Sequence, residues 1–160
     1  MNEISVLGAG AFGTALAISL AQSGRKVTLW ARSAEAATAM QKQRENALRL
    51  PDKPFPEPLD VTSDLAVATA APILLLAVPM QQLARFAGEN KARFQQKTLV
   101  SCCKGVDLKT GRGPIAVLED TAPDATVAIL SGPSFAVDIA DGLSPLPRGT
   151  KPLRPRFRHG

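Results

Sequence analysis

Short apolar runs recur along the chain, separated by longer segments whose apolar residues return at helical spacing. The runs are Ile4-Ser5-Val6-Leu7, Lys26-Val27-Thr28-Leu29-Trp30, Leu59-Asp60-Val61-Thr62, Ile73-Leu74-Leu75-Leu76-Ala77-Val78, Thr98-Leu99-Val100-Ser101-Cys102-Cys103 and Ala125-Thr126-Val127-Ala128-Ile129-Leu130. Each reads as a strand. The fourth is the most hydrophobic stretch of the protein and reads as a central parallel strand, buried on both faces and ended by Pro79. Residues 14–21 predict the first helix, which Gly24 stops. Ser33 is a candidate N-cap for a helix over 34–45, with Ala36, Ala37 and Met40 as its apolar face. Ser63 and Asp64 begin a short helix that runs through Ala70. Further helices are predicted over 80–94, with Leu83, Phe86 and Ala87 inward, over 115–120 and over 134–140. Residues 46–58 carry four prolines, which forbid a regular helix and predict a loop.

Strands that alternate with helices in this way predict an α/β fold: a doubly wound, mainly parallel sheet with helices on both faces. In such sheets ligands bind beyond the carboxyl ends of the strands. Three stretches fall there: Gly8-Ala9-Gly10-Ala11-Phe12-Gly13, Lys104-Gly105 and Ser131-Gly132-Pro133-Ser134. The first has the form G-x-G-x-x-G. It sits between a strand and a helix inside a βαβ unit, the context that makes it a dinucleotide fingerprint of the Rossmann type. Gly8 permits the tight turn, Gly10 lets a pyrophosphate approach the backbone, and Gly13 lets the helix pack close to the strand. The amides of Ala11 and Phe12 lie at the helix start, where unpaired N–H groups and the dipole favour an anion.

In the simple NAD fingerprint an acid near the end of the second strand holds the ribose 2′-hydroxyl. The corresponding stretch, Ala31-Arg32-Ser33, has no acid and offers Arg32. A guanidinium suits a 2′-phosphate by charge and by fork geometry, so NADP(H) is the preferred cofactor. Glu35 is within reach of a ribose, which leaves NAD(H) open.

Composition changes this picture little, and charge only at one end. A chain of 160 residues, 45% hydrophobic, suits one domain with a real core. No apolar run is long enough to span a bilayer, and no leader is recognisable, so a cytoplasmic protein is expected. The net charge of +5 comes from the last 18 residues, which hold Arg148, Lys151, Arg154, Arg156 and Arg158 and no acid. The rest is electrically balanced, so no nucleic-acid-binding face is expected on the domain. Cys102 and Cys103 are adjacent, on opposite faces if they lie on a strand, and are expected to be core thiols with neither a disulfide nor a metal. The single histidine is His159, which removes a Ser-His-Asp or Cys-His catalytic group.

Taken in order, Gly8-Ala9-Gly10-Ala11-Phe12-Gly13-Thr14-Ala15-Leu16-Ala17, Leu29-Trp30-Ala31-Arg32, Ala77-Val78-Pro79, Lys104-Gly105 and Ser131-Gly132-Pro133-Ser134-Phe135-Ala136 resemble the cofactor domain of the bacterial NAD(P)-dependent glycerol-3-phosphate dehydrogenase family. The resemblance implies reversible reduction of dihydroxyacetone phosphate to sn-glycerol 3-phosphate with hydride from NADPH or NADH, a step toward glycerophospholipids. It implies cofactor contacts at Gly8, Gly10, Ala11, Phe12, Gly13, Arg32, Lys104 and Ala136, and substrate contacts at Lys104, Gly132 and Ser134. An ammonium at a strand end would also stabilise negative charge developing on a carbonyl oxygen. The family's Asn-x-x-aromatic-Leu-Pro loop stands here as Asn46-Ala47-Leu48-Arg49-Leu50-Pro51, with arginine in the aromatic place.

The resemblance covers about Met1 to Leu143, and residues 1–142 form the expected cofactor-binding domain. The family continues with a helical domain that supplies the general-acid lysine, so no catalytic residue is assigned in this chain. Residues 143–160 are rich in Pro and Arg, lack periodicity and read as a disordered, aberrant terminus on a truncated product, with a basic tail for nucleic acid or acidic lipid as the rival reading. Two other readings stay open: the cofactor domain of an NADP-linked dehydrogenase of the 6-phosphogluconate or ketopantoate type, and a non-catalytic dinucleotide-binding module. Apolar surface left exposed at the sheet edge and the cleft could drive homo-oligomerisation.

Overall fold

The computed structural model describes residues 3–131 and 140–141. Six strands form one parallel sheet: β1 (Ile4–Leu7), β2 (Val27–Trp30), β5 (Leu59–Thr62), β6 (Ile73–Leu76), β7 (Thr98–Ser101) and β8 (Thr126–Ile129), in the order β5-β2-β1-β6-β7-β8. The helices α1 (Ala11–Gln22), α2 (Ala34–Gln43), α3 (Leu65–Ala68), α4 (Met80–Glu89), α5 (Lys91–Phe94) and α6 (Pro114–Thr121) connect them, with a small hairpin of β3 (Glu45–Asn46) and β4 (Leu50–Pro54). The predicted doubly wound architecture is therefore present. Its strand order reverses between β1 and β6, where such sheets open a ligand crevice.

Alternation along the central strands divides the core in two. Val6 and Leu75 pack with Ala15, Ile18 and Met40, beneath α1 and α2. Leu7, Leu74 and Leu76 pack with Leu83, Ala87, Phe94 and Leu118, beneath α4, α5 and α6. A strand lying between two helical layers has no face left for polar residues, which is why Leu74, Leu75 and Leu76 follow one another. Each fully buried leucine contributes about 1.5–3 kcal/mol of apolar transfer.

The strands end flush. Leu7 is level with Trp30 and Leu76, Leu76 with Ser101, and Ser101 with Ile129. Backbone bonds continue the ladder one step further, from Gly8 N–H to the Trp30 carbonyl at 3.1 Å, Ala77 to Leu7 at 2.9 Å and Cys102 to Leu76 at 3.0 Å. The turns that follow these strands consequently begin at one level, around one crevice.

Several local expectations shift. The first helix starts at Ala11, earlier than its apolar pattern suggests, and the second ends at Gln43, where Arg44 adopts a left-handed φ of 58°. Ser33 caps α2 as expected, its hydroxyl accepting from Ala36 N–H at 3.2 Å, but Ala36 itself is exposed and only Ala37 and Met40 of the expected face are buried. The helix expected over 80–94 breaks at Asn90, whose side-chain amide donates to the Phe86 carbonyl at 2.9 Å. The strand expected to reach Cys103 ends at Ser101, and Cys102 and Cys103 lie beyond it as free thiols, one half-buried and one buried.

The largest difference lies in the proline-rich stretch, which is a hairpin. Pro51 and Pro54 occupy a two-stranded ladder, where a missing N–H costs little, and Asp52 supplies a positive φ of 62°. Arg44 holds it: its guanidinium donates to the Pro56 carbonyl at 2.9 Å and lies over the ring of buried Phe55. At the far side of the sheet β8 is an edge strand, with Ile129 44% and Leu130 40% exposed. Gly132, Ser134 and Ala136, the helix expected over 134–140 except for Ala140, and the tail over 143–160 lie outside the described residues.

Candidate functional site

A cleft of about 1110 Å³ opens over the carboxyl ends of the central strands. The turn after β1 supplies Gly8 to Gly13, the end of β2 supplies Trp30 and Arg32, the turn after β6 supplies Ala77, Val78 and Pro79, and the segment after β7 supplies Cys102, Cys103 and Lys104. The structure thus brings every described residue expected at the cofactor site into one crevice: Gly8, Gly10, Ala11, Phe12, Gly13, Arg32 and Lys104.

The three glycines are required for different reasons. Gly8 has a φ of +121°, and a Cβ there would lie 2.4 Å from the Ala77 carbonyl oxygen. A Cβ on Gly13 would lie 2.0 Å from the Gly8 carbonyl oxygen, because α1 packs hard against the turn. Both are demanded by the fold itself. Gly10 is not: its φ of −73° and ψ of −176° suit any residue, and a Cβ would meet nothing within 4 Å. Its side-chain position opens on the cleft, so what a Cβ would obstruct there is the approach of a ligand to the backbone. The first amides of a helix have no intrahelical partner, and at α1 no side chain caps them. An anion seated at Gly10 would meet those amides and the positive end of the helix dipole. These residues fit a dinucleotide pyrophosphate.

The turn is braced from outside. Asn46 is buried in the hairpin, and its side-chain amide donates to the Ala9 carbonyl at 3.0 Å and to Thr14 Oγ1 at 2.8 Å. One wall of the cleft is aromatic. The Trp30 indole N–H donates to the Ser63 carbonyl at 3.1 Å, and its ring lies 5.6 Å from that of Phe86. The two rings, tilted by 37° to each other, give this wall an apolar surface.

The field in the cleft is positive. Arg32, Arg49, Arg85 and Lys104 line it, and Glu89 is the one carboxylate among the described lining residues. Glu89 accepts from Arg85 Nε at 2.8 Å, and this hydrogen bond, with the carboxylate charge, raises the guanidinium pKa above its ordinary value. No described acid pairs with Arg32, Arg49 or Lys104, so three cations face the cleft unneutralised. Cys102 also lines it, and burial, with the neighbouring Cys103, pushes its thiol up to about 12, which fits the expected inert role.

Trp30, Asn46, Arg85 and Phe86 are among the lining or bracing residues that were not read from sequence as part of the site. Trp30 carried a signal, since it ends a strand pointing at the crevice. Arg85 and Glu89 stand at the i,i+4 spacing of a helical ion pair. Nothing in the sequence announces that the Asn46 amide reaches back to Ala9.

The model of the NAD-dependent glycerol-3-phosphate dehydrogenase N-terminus family matches residues 3–145. The glycerol-3-phosphate dehydrogenase of Ruegeria sp. (strain TM1040) is 56% identical over 141 residues, which are 88% of this chain and 44% of that protein. The corresponding enzyme of Roseobacter denitrificans is 51% identical over the same shares of both chains. The crystal structure of glycerol-3-phosphate dehydrogenase from Coxiella burnetii superposes with a TM-score of 0.81 at 31% identity, over 88% of this chain and 43% of that one. The chain spans less than half the length of these relatives.

Proposed function

Because the chain belongs to the NAD-dependent glycerol-3-phosphate dehydrogenase N-terminus family, we propose that it is the cofactor-binding part of a glycerol-3-phosphate dehydrogenase, taking NADP(H) in preference to NAD(H). The observation that carries this reading is Gly10, a glycine that no neighbour demands, set at the uncapped start of α1 in a cationic cleft.

In this reading the pyrophosphate rests on the amides of Ala11 and Phe12, and Arg32 meets the 2′-phosphate. Bound there, a reduced nicotinamide supplies hydride to the carbonyl carbon of dihydroxyacetone phosphate. Lys104, exposed at the end of β7, directs its ammonium charge to the substrate and stabilises negative charge growing on the carbonyl oxygen. Gly132 and Ser134 remain proposed substrate contacts and Ala136 a proposed cofactor contact, all outside the described residues. The proton for that oxygen comes, in this reading, from a lysine in the region that the longer relatives carry beyond the match.

The 160-residue chain should therefore bind NADPH and turn over little dihydroxyacetone phosphate by itself. Robust steady-state turnover by the purified chain would overturn this assignment of roles. A module that only binds dinucleotide would hold NADPH with no response to glycerol 3-phosphate, whereas the proposed half-site binds the two with mutual influence.

Among the described residues no helix is long and apolar enough to cross a membrane. A cytoplasmic location belongs to the same proposal. So does self-association, for which the exposed apolar residues at the β8 edge give the physical motive.

A further inference from the structure

The loop that carries Arg49 is fastened to the glycine turn. Asn46 donates to Ala9 and Thr14 with its amide nitrogen, and its Oδ1 accepts from Arg49 N–H at 3.3 Å. A single buried side-chain amide thus connects the turn that starts α1 to the backbone of Arg49. From there the Arg49 side chain is exposed and lines the cleft together with Gly10 and Ala11. No described residue forms an ion pair with it.

Arg49 adds to the unneutralised charge of Arg32 and Lys104 in the same cleft. An anion held in the cleft by Arg49 would offset that like-charge repulsion. Guanidinium is suited to that task, since its fork can present two N–H groups to two phosphate oxygens.

We propose that Arg49 is a phosphate-binding residue of this cleft, meeting the same dinucleotide pyrophosphate as the amides of Ala11 and Phe12. It then sets affinity for NAD(H) and NADP(H) alike, whereas Arg32 sets the choice between them. The proposal rests on the dinucleotide reading of the cleft given above.

The test titrates NAD+, NADP+ and adenosine into the full chain and its variants, following fluorescence of Trp30, the single tryptophan, which lines the cleft. Arg49→Gln should weaken NAD+ and NADP+ by the same factor of about tenfold, as for loss of a charge-assisted hydrogen bond. Adenosine binding should not change. Arg49→Lys should recover part of the loss, and added salt should narrow the gap between wild type and Arg49→Gln. A loss confined to NADP+ would put Arg49 on the 2′-phosphate and overturn the proposal, as would unchanged affinity for both dinucleotides. If wild type binds neither dinucleotide, the reading of the cleft fails as well. Binding by wild type with no response to Arg49→Gln removes the Arg49 proposal alone.

Discussion

The side-chain amide of Asn46 and the carbonyl oxygen of Ala9 lie 3.0 Å apart, a bond between a surface hairpin and the centre of the glycine turn. The same amide reaches Thr14 Oγ1, so the hairpin restrains both the turn and the first coil of α1. Asn46→Ala should destabilise the protein by about 1–3 kcal/mol, because it leaves buried polar groups unpaired. NADPH affinity should fall with it, since the turn loses its brace. Chemical denaturation and a fluorescence titration measure the two effects. Asn46→Asp should not rescue either, as a carboxylate cannot donate to the Ala9 carbonyl.

Gly10 and Gly13 should respond in opposite ways. Gly13→Ala places a Cβ against the Gly8 carbonyl and should cost about 1–3 kcal/mol or more of stability. Gly10→Ala places its Cβ in open space and should cost much less stability than Gly13→Ala. It should nonetheless weaken NADPH binding. Equal loss of stability in both variants would remove the argument that only one of these glycines serves a ligand.

Arg32 is exposed, unpaired among the described residues and placed just past β2. Arg32→Asp should shift preference toward NAD+, weakening NADP+ by roughly tenfold or more through loss of a charge-assisted bond and new repulsion. NAD+ should be held about as well or better. An unchanged ratio of the two affinities would take Arg32 out of the site.

The Cys102 thiol, raised from 9.0 to about 12, should stay protonated in the folded protein throughout the neutral range. Iodoacetamide at pH 8 should modify it slowly when folded and rapidly after denaturation. The sign for stability follows from which state holds the proton. Between pH 9 and about 12 the unfolded thiol ionises while the folded one does not, so this group makes stability fall as pH rises through that window. Fast modification of native protein would contradict the burial that sets the shift.

The sheet was legible in the sequence because its strands are short, apolar and regularly spaced, and the glycine turn because its context is specific. What escaped depended on contacts across the chain. The hairpin over 45–54 hides behind prolines that a small ladder tolerates. The break at Asn90 depends on a side chain bonding back to Phe86, within a segment whose helical pattern continues past it. The Asn46 brace spans 37 residues, and no local pattern encodes it. Arg49 stands out as a departure from a resembling loop, and the structure places it among the residues that line the cleft.

The central claim is that a dinucleotide pyrophosphate rests on the start of α1. Amide chemical-shift mapping of the isotope-labelled chain during an NADPH titration tests it most directly. The account predicts saturable shifts that are largest at the amides of Gly10, Ala11 and Phe12, with the Trp30 indole N–H moving in step. Absence of saturable shifts, or shifts centred away from this turn, would contradict it.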